Sequence, residues 1–218
     1  MAKVFIGVGH GGNDPGASKY LVEKDINLVM ALACQELLEK NGVQVLMSRT
    51  KDENDPLSEE IVECNAFNPD LAIDIHNNAG GGDGFEIYYH TGGGTSKTLA
   101  FNIEQEVIAI GQNSRGCKTK TNASGRDYYG FIRQTKAPSV ITEGLFVDNA
   151  TDVGKVIVNG QFGWYCSSDD EKKVVELIEE VARKDNCDAL GENAYSYLKN
   201  NFAIEIAYDS IIKCMEQK

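Results

Sequence analysis

Short apolar runs that alternate with segments of helical periodicity are the feature that most limits what this chain can fold into. The runs are rich in Val and Ile and have the length of buried strands. They cover residues 4–8, 43–47, 71–76, 85–89 and 140–143. Strands that alternate with helices are typical of an α/β protein, so we predict a mostly parallel, twisted sheet of about six strands flanked by helices.

The helical segments carry apolar residues at spacings of three and four. The clearest one follows the first strand, and Asn41-Gly42 supplies its stop signal. Its apolar positions are Ile26, Val29, Met30, Ala33 and Leu37. Further helices are predicted at residues 57–67, 96–110, 171–183 and 202–215. We expect the whole chain, residues 1–218, to form one domain.

The composition argues against several classes of partner. A formal charge of −12 over 218 residues, without a basic cluster, is unfavourable for binding nucleic acid or anionic lipid. No apolar stretch reaches the ~20 residues that cross a bilayer, so membrane insertion is not expected. The chain runs from Met1-Ala2-Lys3 directly into its first strand without an export signal, and its six cysteines are scattered. We therefore expect a product made in the cytoplasm with reduced thiols.

Two histidines and a glutamate are predicted to meet at one edge of the sheet. His10 closes the first strand and His76 closes the third, so both should lie at the carboxyl edge, where open α/β sheets bind ligands. Glu23 opens the first helix, whose N-terminus favours a carboxylate, and the loop of residues 11–22 is short enough to bring it beside His10. Two imidazoles and one carboxylate suit a catalytic zinc, because they leave one position open for water.

Glu143 is the candidate general base. It ends another apolar strand and precedes Gly144, so it should project from the same edge and could take a proton from the zinc-bound water. Each of these residues alone would more often be an ordinary hydrogen-bonded side chain. Their convergence is what favours a hydrolytic metal site. His90 lies at a strand end before three glycines, where no other candidate site residue is expected beside it, and it is left out of the site.

Several short motifs occur in a fixed order along the chain. They are residues 6–17 (IGVGHGGNDPGA), 23–27 (EKDIN), 48–50 (SRT), 75–79 (IHNNA) and 138–144 (PSVITEG), followed by Asp148 and Asn149. In order and spacing they resemble the zinc-dependent N-acetylmuramoyl-L-alanine amidases of the amidase-3 family. The resemblance implies one zinc per chain. It makes His10, Glu23 and His76 the ligands and Glu143 the catalytic glutamate, in agreement with the assignment from strand and helix ends.

The resemblance also suggests substrate contacts and marks an atypical segment. Arg133, in a stretch similar to the one before the family's catalytic strand, is a candidate partner for a carboxylate of the stem peptide. Asn77, beside a ligand, is a second candidate for binding substrate. The similarity covers about residues 3–153 and resumes at 202–207. Residues 154–201 replace what is usually a short connection, so we interpret them as a partly helical insertion near the C-terminus, peripheral to the chemistry.

The implied function is zinc-dependent hydrolysis of peptidoglycan. The bond cut is the amide between N-acetylmuramic acid and the L-alanine of the stem peptide. Without an export signal, the enzyme is expected to be a phage or prophage lysin that is made in the bacterial cytoplasm and acts on the wall after release. Two alternatives stay open: a zinc hydrolase that cuts another wall bond, as a peptidase or deacetylase, and a non-catalytic wall-binding module.

Overall fold

The computed structural model describes residues 1–156. Within this part, six strands alternate with five helices. The strands are β1 (Lys3–Val8), β2 (Gln44–Met47), β3 (Leu71–Asn78), β4 (Phe85–Tyr89), β5 (Ser114–Lys118) and β6 (Ser139–Phe146). The helices are α1 (Glu23–Lys40), α2 (Leu57–Phe67), α3 (Thr95–Ala109), α4 (Gly130–Gln134) and α5 (Ala150–Val156). The described part therefore has the predicted α/β composition.

All six strands form one sheet in the order β2-β1-β3-β6-β4-β5. Strands β2, β1, β3 and β6 run parallel to one another. The direction reverses between β6 and β4, which pair antiparallel, and β5 then follows β4 in parallel. This mostly parallel sheet of six strands confirms the predicted fold class. Its central strand, β6, is the last strand of the described chain.

Alternating side chains of the strands pack against helices on both faces of the sheet. Val4, Ile6 and Val8 of β1 are almost fully buried on the face covered by α1 and α3, which we call the α1 face. Phe5 points the other way, into the cluster beneath α2 and α4, the α2 face. Burying each such side chain stabilises the fold by about 1.5–3 kcal/mol.

Helix α1 begins at Glu23 and ends at Lys40, and the N–H of Asn41 closes it by bonding to the Leu37 carbonyl, as the stop signal predicted. The buried face differs from the predicted one. It consists of Glu23, Asn27, Ala31, Cys34 and Leu38, whereas Val29 is 44% exposed. Asn27 lies on this buried face and donates to the Gly9 carbonyl at 2.9 Å. Ile26 and Met30 of the predicted stripe are partly buried and pack at its border.

Two predicted strand ends were wrong by a few residues. Strand β3 continues past His76 to Asn78, and β6 continues past Glu143 to Phe146. The two strands remain paired there through an irregular register after His76, which keeps their backbone groups bonded beyond the predicted ends. Strand β5 was not predicted at all, because its sequence SRGCK has no alternating apolar pattern.

Other predictions fall partly or wholly outside the described residues. The insertion at residues 154–201 and the helices at 171–183 and 202–215 belong to this group. Among residues 1–156, no helix combines the length and apolar character needed to cross a membrane. The three cysteines in the same part, Cys34, Cys64 and Cys117, are free thiols.

Candidate metal centre and active site

The carboxylate of Glu23 bridges two histidine rings. Its Oε2 lies 3.2 Å from His10 Nε2, and its Oε1 lies 3.2 Å from His76 Nδ1. The two rings meet edge to face with centroids 5.0 Å apart. One ligand atom from each of the three residues lies within 4.8 Å of the others. The structure therefore brings together the three residues predicted as metal ligands.

Glu23 is fixed by the start of helix α1 and by backbone donors. The N–H of Ala17 donates to its Oε2 at 2.8 Å, and the N–H of Asn77 donates to its Oε1 at 3.1 Å. Burial alone would raise the pKa of Glu23, but hydrogen bonds from His10, His76 and Ala17 outweigh it and hold the pKa well below its usual range. The carboxylate stays ionised, which a cation ligand requires.

Glycines on either side of the histidines make room for their rings. A Cβ on Gly9 would lie 2.2 Å from the His76 ring, and one on Gly16 would lie 2.6 Å from both His10 and Glu23. His10 itself has a left-handed backbone, with φ of 63°, and its Nδ1 lies 2.9 Å from Asp14 Oδ2. The glycine-rich motif thus serves to pack two imidazoles against one carboxylate.

The donor set and its spacing fit zinc. Two imidazole nitrogens and a carboxylate are common ligands of catalytic zinc, which binds them at about 2.0–2.2 Å. Each histidine nitrogen lies 3.2 Å from one oxygen of Glu23, and one ligand atom from each residue lies within 4.8 Å of the others, so the three side chains are close enough to share one ion. Each histidine holds a carboxylate on its other nitrogen, Asp14 on His10 and Asp74 on His76. Metal-ligating histidines usually have such a partner.

Glu143 lies beside this centre on the neighbouring strand. Its Cα is paired with that of His76 in the register between β3 and β6, and adjacent strands are about 4.8 Å apart. The side chain is half-buried. Burial raises its pKa, the neighbouring His76 lowers it and the charge of Glu23 adds to the rise, so that the pKa lies at about 7 instead of the ordinary 4.5. A carboxylate with such a pKa can exchange a proton near neutral pH.

Comparison with known proteins assigns the chain to a family. The family model described as N-acetylmuramoyl-L-alanine amidase matches residues 4–160, which is more than half of the chain and includes all four residues above. The chain belongs to the N-acetylmuramoyl-L-alanine amidase family. This is the amidase-3 family of the sequence resemblance.

The relatives of this amidase-family chain include bacterial wall and sporulation enzymes. CwlM of Bacillus licheniformis is 39% identical over 161 residues, which cover 72% of this chain and 61% of that protein. The sporulation-specific amidase of Bacillus subtilis is 38% identical, with coverage of 72% and 60%. The solved structure of Cwp6 from Clostridium difficile matches with a TM-score of 0.70 and 38% identity, over 71% of this chain and 26% of that one. The chain thus spans about three fifths of the two curated relatives.

Asn77 does not face the site of this amidase-family chain. It is 3% exposed, because alternation along β3 turns it to the α1 face while His76 faces α2. Its amide donates to Asn27 Oδ1 at 2.8 Å and accepts the N–H of Leu145 at 3.0 Å. The prediction that Asn77 binds substrate is therefore contradicted by its burial. Asn77 ties β3 to α1 and β6 instead.

Arg133 lies on the short helix α4. Its Nη1 donates to the backbone carbonyls of Asp127 at 2.7 Å and of Tyr128 at 2.8 Å. These bonds fasten the preceding loop to the helix. The predicted contact between Arg133 and a substrate carboxylate stays a prediction.

A group of charged residues beside Glu143 escaped the sequence reasoning. Glu86 of β4 is paired with Glu143 in the antiparallel register with β6 and is 3% exposed. Its carboxylate accepts hydrogen bonds from Arg115 Nε and from Lys118 Nζ, the latter at 2.7 Å. Burial raises the pKa of Glu86, but these two cations outweigh it and lower the pKa overall. Both cations come from β5, the strand without a sequence signal.

His90 lies at the other edge of the sheet, where β4 ends beside the start of β6. Its Nε2 lies 3.1 Å from Asp127 Oδ2, and its Nδ1 accepts the N–H of Gly92 at 2.9 Å. His90 therefore lies apart from the other two histidines.

Proposed function

We propose that this chain is a peptidoglycan hydrolase that cleaves the amide bond between N-acetylmuramic acid and L-alanine, with one zinc held by His10, Glu23 and His76. The observation that carries the proposal is the Glu23 carboxylate bridging both histidines, with Glu143 in register beside His76. Membership of the amidase family supports the choice of bond.

The protein groups divide the work of hydrolysis. A zinc ion in this centre supplies a Lewis acid, which polarises the carbonyl and makes water a better nucleophile near pH 7. Glu143 takes the proton of the attacking water, because its pKa of about 7 allows it to accept a proton and later release it. The same carboxyl group then delivers that proton to the departing alanine nitrogen. No covalent intermediate with the protein is needed.

We place a carboxylate of the stem peptide at Arg115 and Lys118. Their side chains are 43% and 33% exposed, and both reach Glu86, which is the strand neighbour of Glu143. Two cations against one buried carboxylate leave a positive charge next to the reacting groups, in a chain whose net charge is −12. Such a charge attracts an anionic peptide. Arg133 is the alternative partner, although carbonyl groups already occupy its Nη1.

The biological role is a separate proposal. Our hypothesis is a phage or prophage lysin that is made in the cytoplasm and acts on the wall after release. The alternative is an enzyme that a bacterium makes to act on its own wall, and the similarity to a sporulation-specific amidase favours it. We also propose that residues 154–201 form an insertion peripheral to the chemistry, within a single catalytic domain of residues 1–218.

Analysis of the new termini tests the proposed bond. Purified, zinc-loaded protein is incubated with bacterial walls, and the soluble products are identified by mass spectrometry. We expect stem peptides with a free N-terminal L-alanine and glycan strands with intact lactyl groups. The matched control is Glu143→Gln at the same zinc content. Release of acetate or new termini inside the peptide would assign the enzyme to another bond, and wall binding without any product would make it a binding module.

A further inference from the structure

Two buried carboxyl groups behind the metal centre each have one oxygen without a hydrogen-bond partner among the described residues. Glu60 of α2 is 5% exposed and Asp74 of β3 is 2% exposed, both on the α2 face. Glu60 Oε1 and Asp74 Oδ1 are fully buried, and no donor among the described residues bonds to either atom. An unpaired buried carboxylate oxygen is costly. The function proposed above uses neither residue.

The missing side chain of Gly7 brings these two oxygens together. Gly7 is the register partner of Asp74 across β1 and β3. A Cβ on Gly7 would lie 2.0 Å from Glu60 Oε1 and 2.8 Å from Asp74 Oδ1, so both atoms border the same small space. Burial raises the pKa of Glu60 well above its usual range, and the charge of Asp74 adds to the rise, so Glu60 keeps its proton here. A proton on Glu60 gives Asp74 Oδ1 the donor that it lacks.

The second oxygen of Asp74 faces His76. Asp74 Oδ2 lies 3.3 Å from His76 Nε2, while Nδ1 on the other side of the ring lies 3.2 Å from Glu23 Oε1. A carboxylate oxygen at this position accepts a hydrogen bond from the ring, so it favours the form of His76 that carries hydrogen on Nε2. That form leaves the Nδ1 lone pair directed at the metal centre.

We propose that Asp74, held in place by a hydrogen bond from Glu60, is the positioning residue that fixes the His76 ring with Nδ1 toward the metal. This inference rests on the proposed metal-dependent function. A series of contacts then runs from α2 to the centre: Glu60 to Asp74, Asp74 to His76 Nε2, and His76 Nδ1 to the ion. Gly7 is part of the device, because any larger residue would displace Glu60 from Asp74.

Zinc affinity measured against a competing chelator tests the proposal. Asp74→Asn removes the charge that holds Nε2–H, and we expect zinc binding to weaken about 10- to 100-fold, the usual effect of losing such a partner. Glu60→Gln is the matched control. Its amide can donate to Asp74 Oδ1 as the Glu60 carboxyl does, so affinity should stay within about 3-fold of the parent chain. Parent-like zinc affinity in folded Asp74→Asn would overturn the proposal.

Nuclear magnetic resonance of the imidazole nitrogens gives a readout independent of metal and of activity. The chain has only three histidines, so the ring signals can be assigned with single substitutions. In the metal-free parent we expect a His76 Nε2–H signal that exchanges slowly with water, and we expect its loss in Asp74→Asn. A parent chain that shows this signal but binds no zinc would contradict the proposed metal centre. Its absence from the parent would contradict the role of Asp74.

A second pair of variants keeps the test decisive if Asp74→Asn fails to fold. Glu60→Gln and Glu60→Met have side chains of similar length, but only the former can donate to Asp74. We expect Glu60→Met to bind zinc several-fold more weakly than Glu60→Gln and to lose protection of the His76 Nε2–H. Equal affinity and equal protection in the two folded variants would remove the Glu60–Asp74 contact from the proposal.

Discussion

Glu143 and His76 are paired residue to residue across the parallel strands β3 and β6. The pairing places a group suited to proton transfer one strand away from a group suited to coordination. Glu143 has a further neighbour on its other side, Glu86 of β4. His76, Glu143 and Glu86 therefore form a row across β3, β6 and β4 at the site. Each of the three side chains has a different electrostatic environment.

Glu143→Gln should separate metal binding from catalysis. The amide keeps the size of the side chain but cannot accept a proton, so turnover should fall by about 10²- to 10⁴-fold. Zinc content should stay at one per chain, because His10, Glu23 and His76 are unchanged. The quantity to measure is turnover per folded, zinc-loaded molecule. Turnover close to that of the parent would exclude Glu143 as the base.

His10→Ala should lose zinc together with activity. The remaining two protein ligands hold the ion poorly, and Glu23 loses one of the two groups that it bridges. His90→Ala is the matched control, since His90 pairs with Asp127 at the other edge of the sheet and should leave zinc content unchanged. Metal analysis after dialysis against a weak chelator measures both. Stoichiometric zinc in His10→Ala would refute its assignment as a ligand.

Asn77→Ala should damage stability and leave substrate affinity alone. The change leaves the buried N–H of Leu145 and the amide of Asn27 without their partner, at a cost of about 2–4 kcal/mol in the free energy of unfolding. Denaturant unfolding and KM, both on zinc-loaded protein, separate the two effects. A raised KM with unchanged stability would restore Asn77 to the substrate site.

The stability of the metal-free chain should depend on pH through Glu143. Its pKa is about 7 when folded and near its ordinary 4.5 when unfolded, so the folded state binds more protons in this window. The free energy of unfolding therefore falls as the pH rises from 4.5 to 7. Glu143→Gln should match the parent below this window and exceed it above, by on the order of 1–3 kcal/mol.

Glu86→Gln is a control for that experiment, because the pKa shift of Glu86 on folding has the opposite sign to that of Glu143. The pKa of Glu86 is lowered when folded, so its contribution to stability is present above its unfolded pKa and is lost as the pH falls. The Gln variant should therefore be less stable than the parent at neutral pH. Unfolding curves in chelator at several pH values test both variants. Parallel curves for Glu143→Gln and the parent across the window would contradict the burial of Glu143.

Removing the positive charge of β5 should weaken substrate binding. For the double variant Arg115→Gln and Lys118→Gln, we expect KM for soluble muropeptides to rise about 5- to 10-fold, with kcat changed less than about 2-fold. The effect should shrink at high salt, because exposed charges are screened. Arg133→Gln serves as the comparison. A rise in KM confined to Arg133→Gln would return the substrate carboxylate to that residue.

The meeting of His10, Glu23 and His76 could be predicted because their positions follow from local rules. Glu23 opens a helix, and His10 and His76 follow apolar runs that any parallel sheet would bring to one edge. Alternation along a strand also decides that His76 and Asn77 face opposite sides, but the sequence alone did not show that Asn77 would be used by the core. Because Asn77 is next to His76 in the motif, the prediction wrongly took both side chains to face the site.

The charged surroundings of Glu143 could not be predicted for a different reason. They depend on the order of strands in the sheet, which sets Glu86 beside Glu143 and then adds Arg115 and Lys118 from an edge strand of polar sequence. Likewise, Glu60 and Asp74 can border one small space only because Gly7, in a third element, has no side chain. Neither arrangement leaves a periodic signal along the chain.

The central position of β6 has a consequence for the way the protein is made. Because β6 inserts between β3 and β4, a chain still emerging from the ribosome without residues 139–146 has two strands with unpaired edges, and such edges invite aggregation. The three proposed ligands, His10, Glu23 and His76, are all synthesised well before this strand. Under the proposed mechanism a nascent chain has its ligands early, yet it gains the proposed proton-transfer group, Glu143, only when β6 fills the gap between β3 and β4. Completion of the sheet and completion of the proposed active site then coincide.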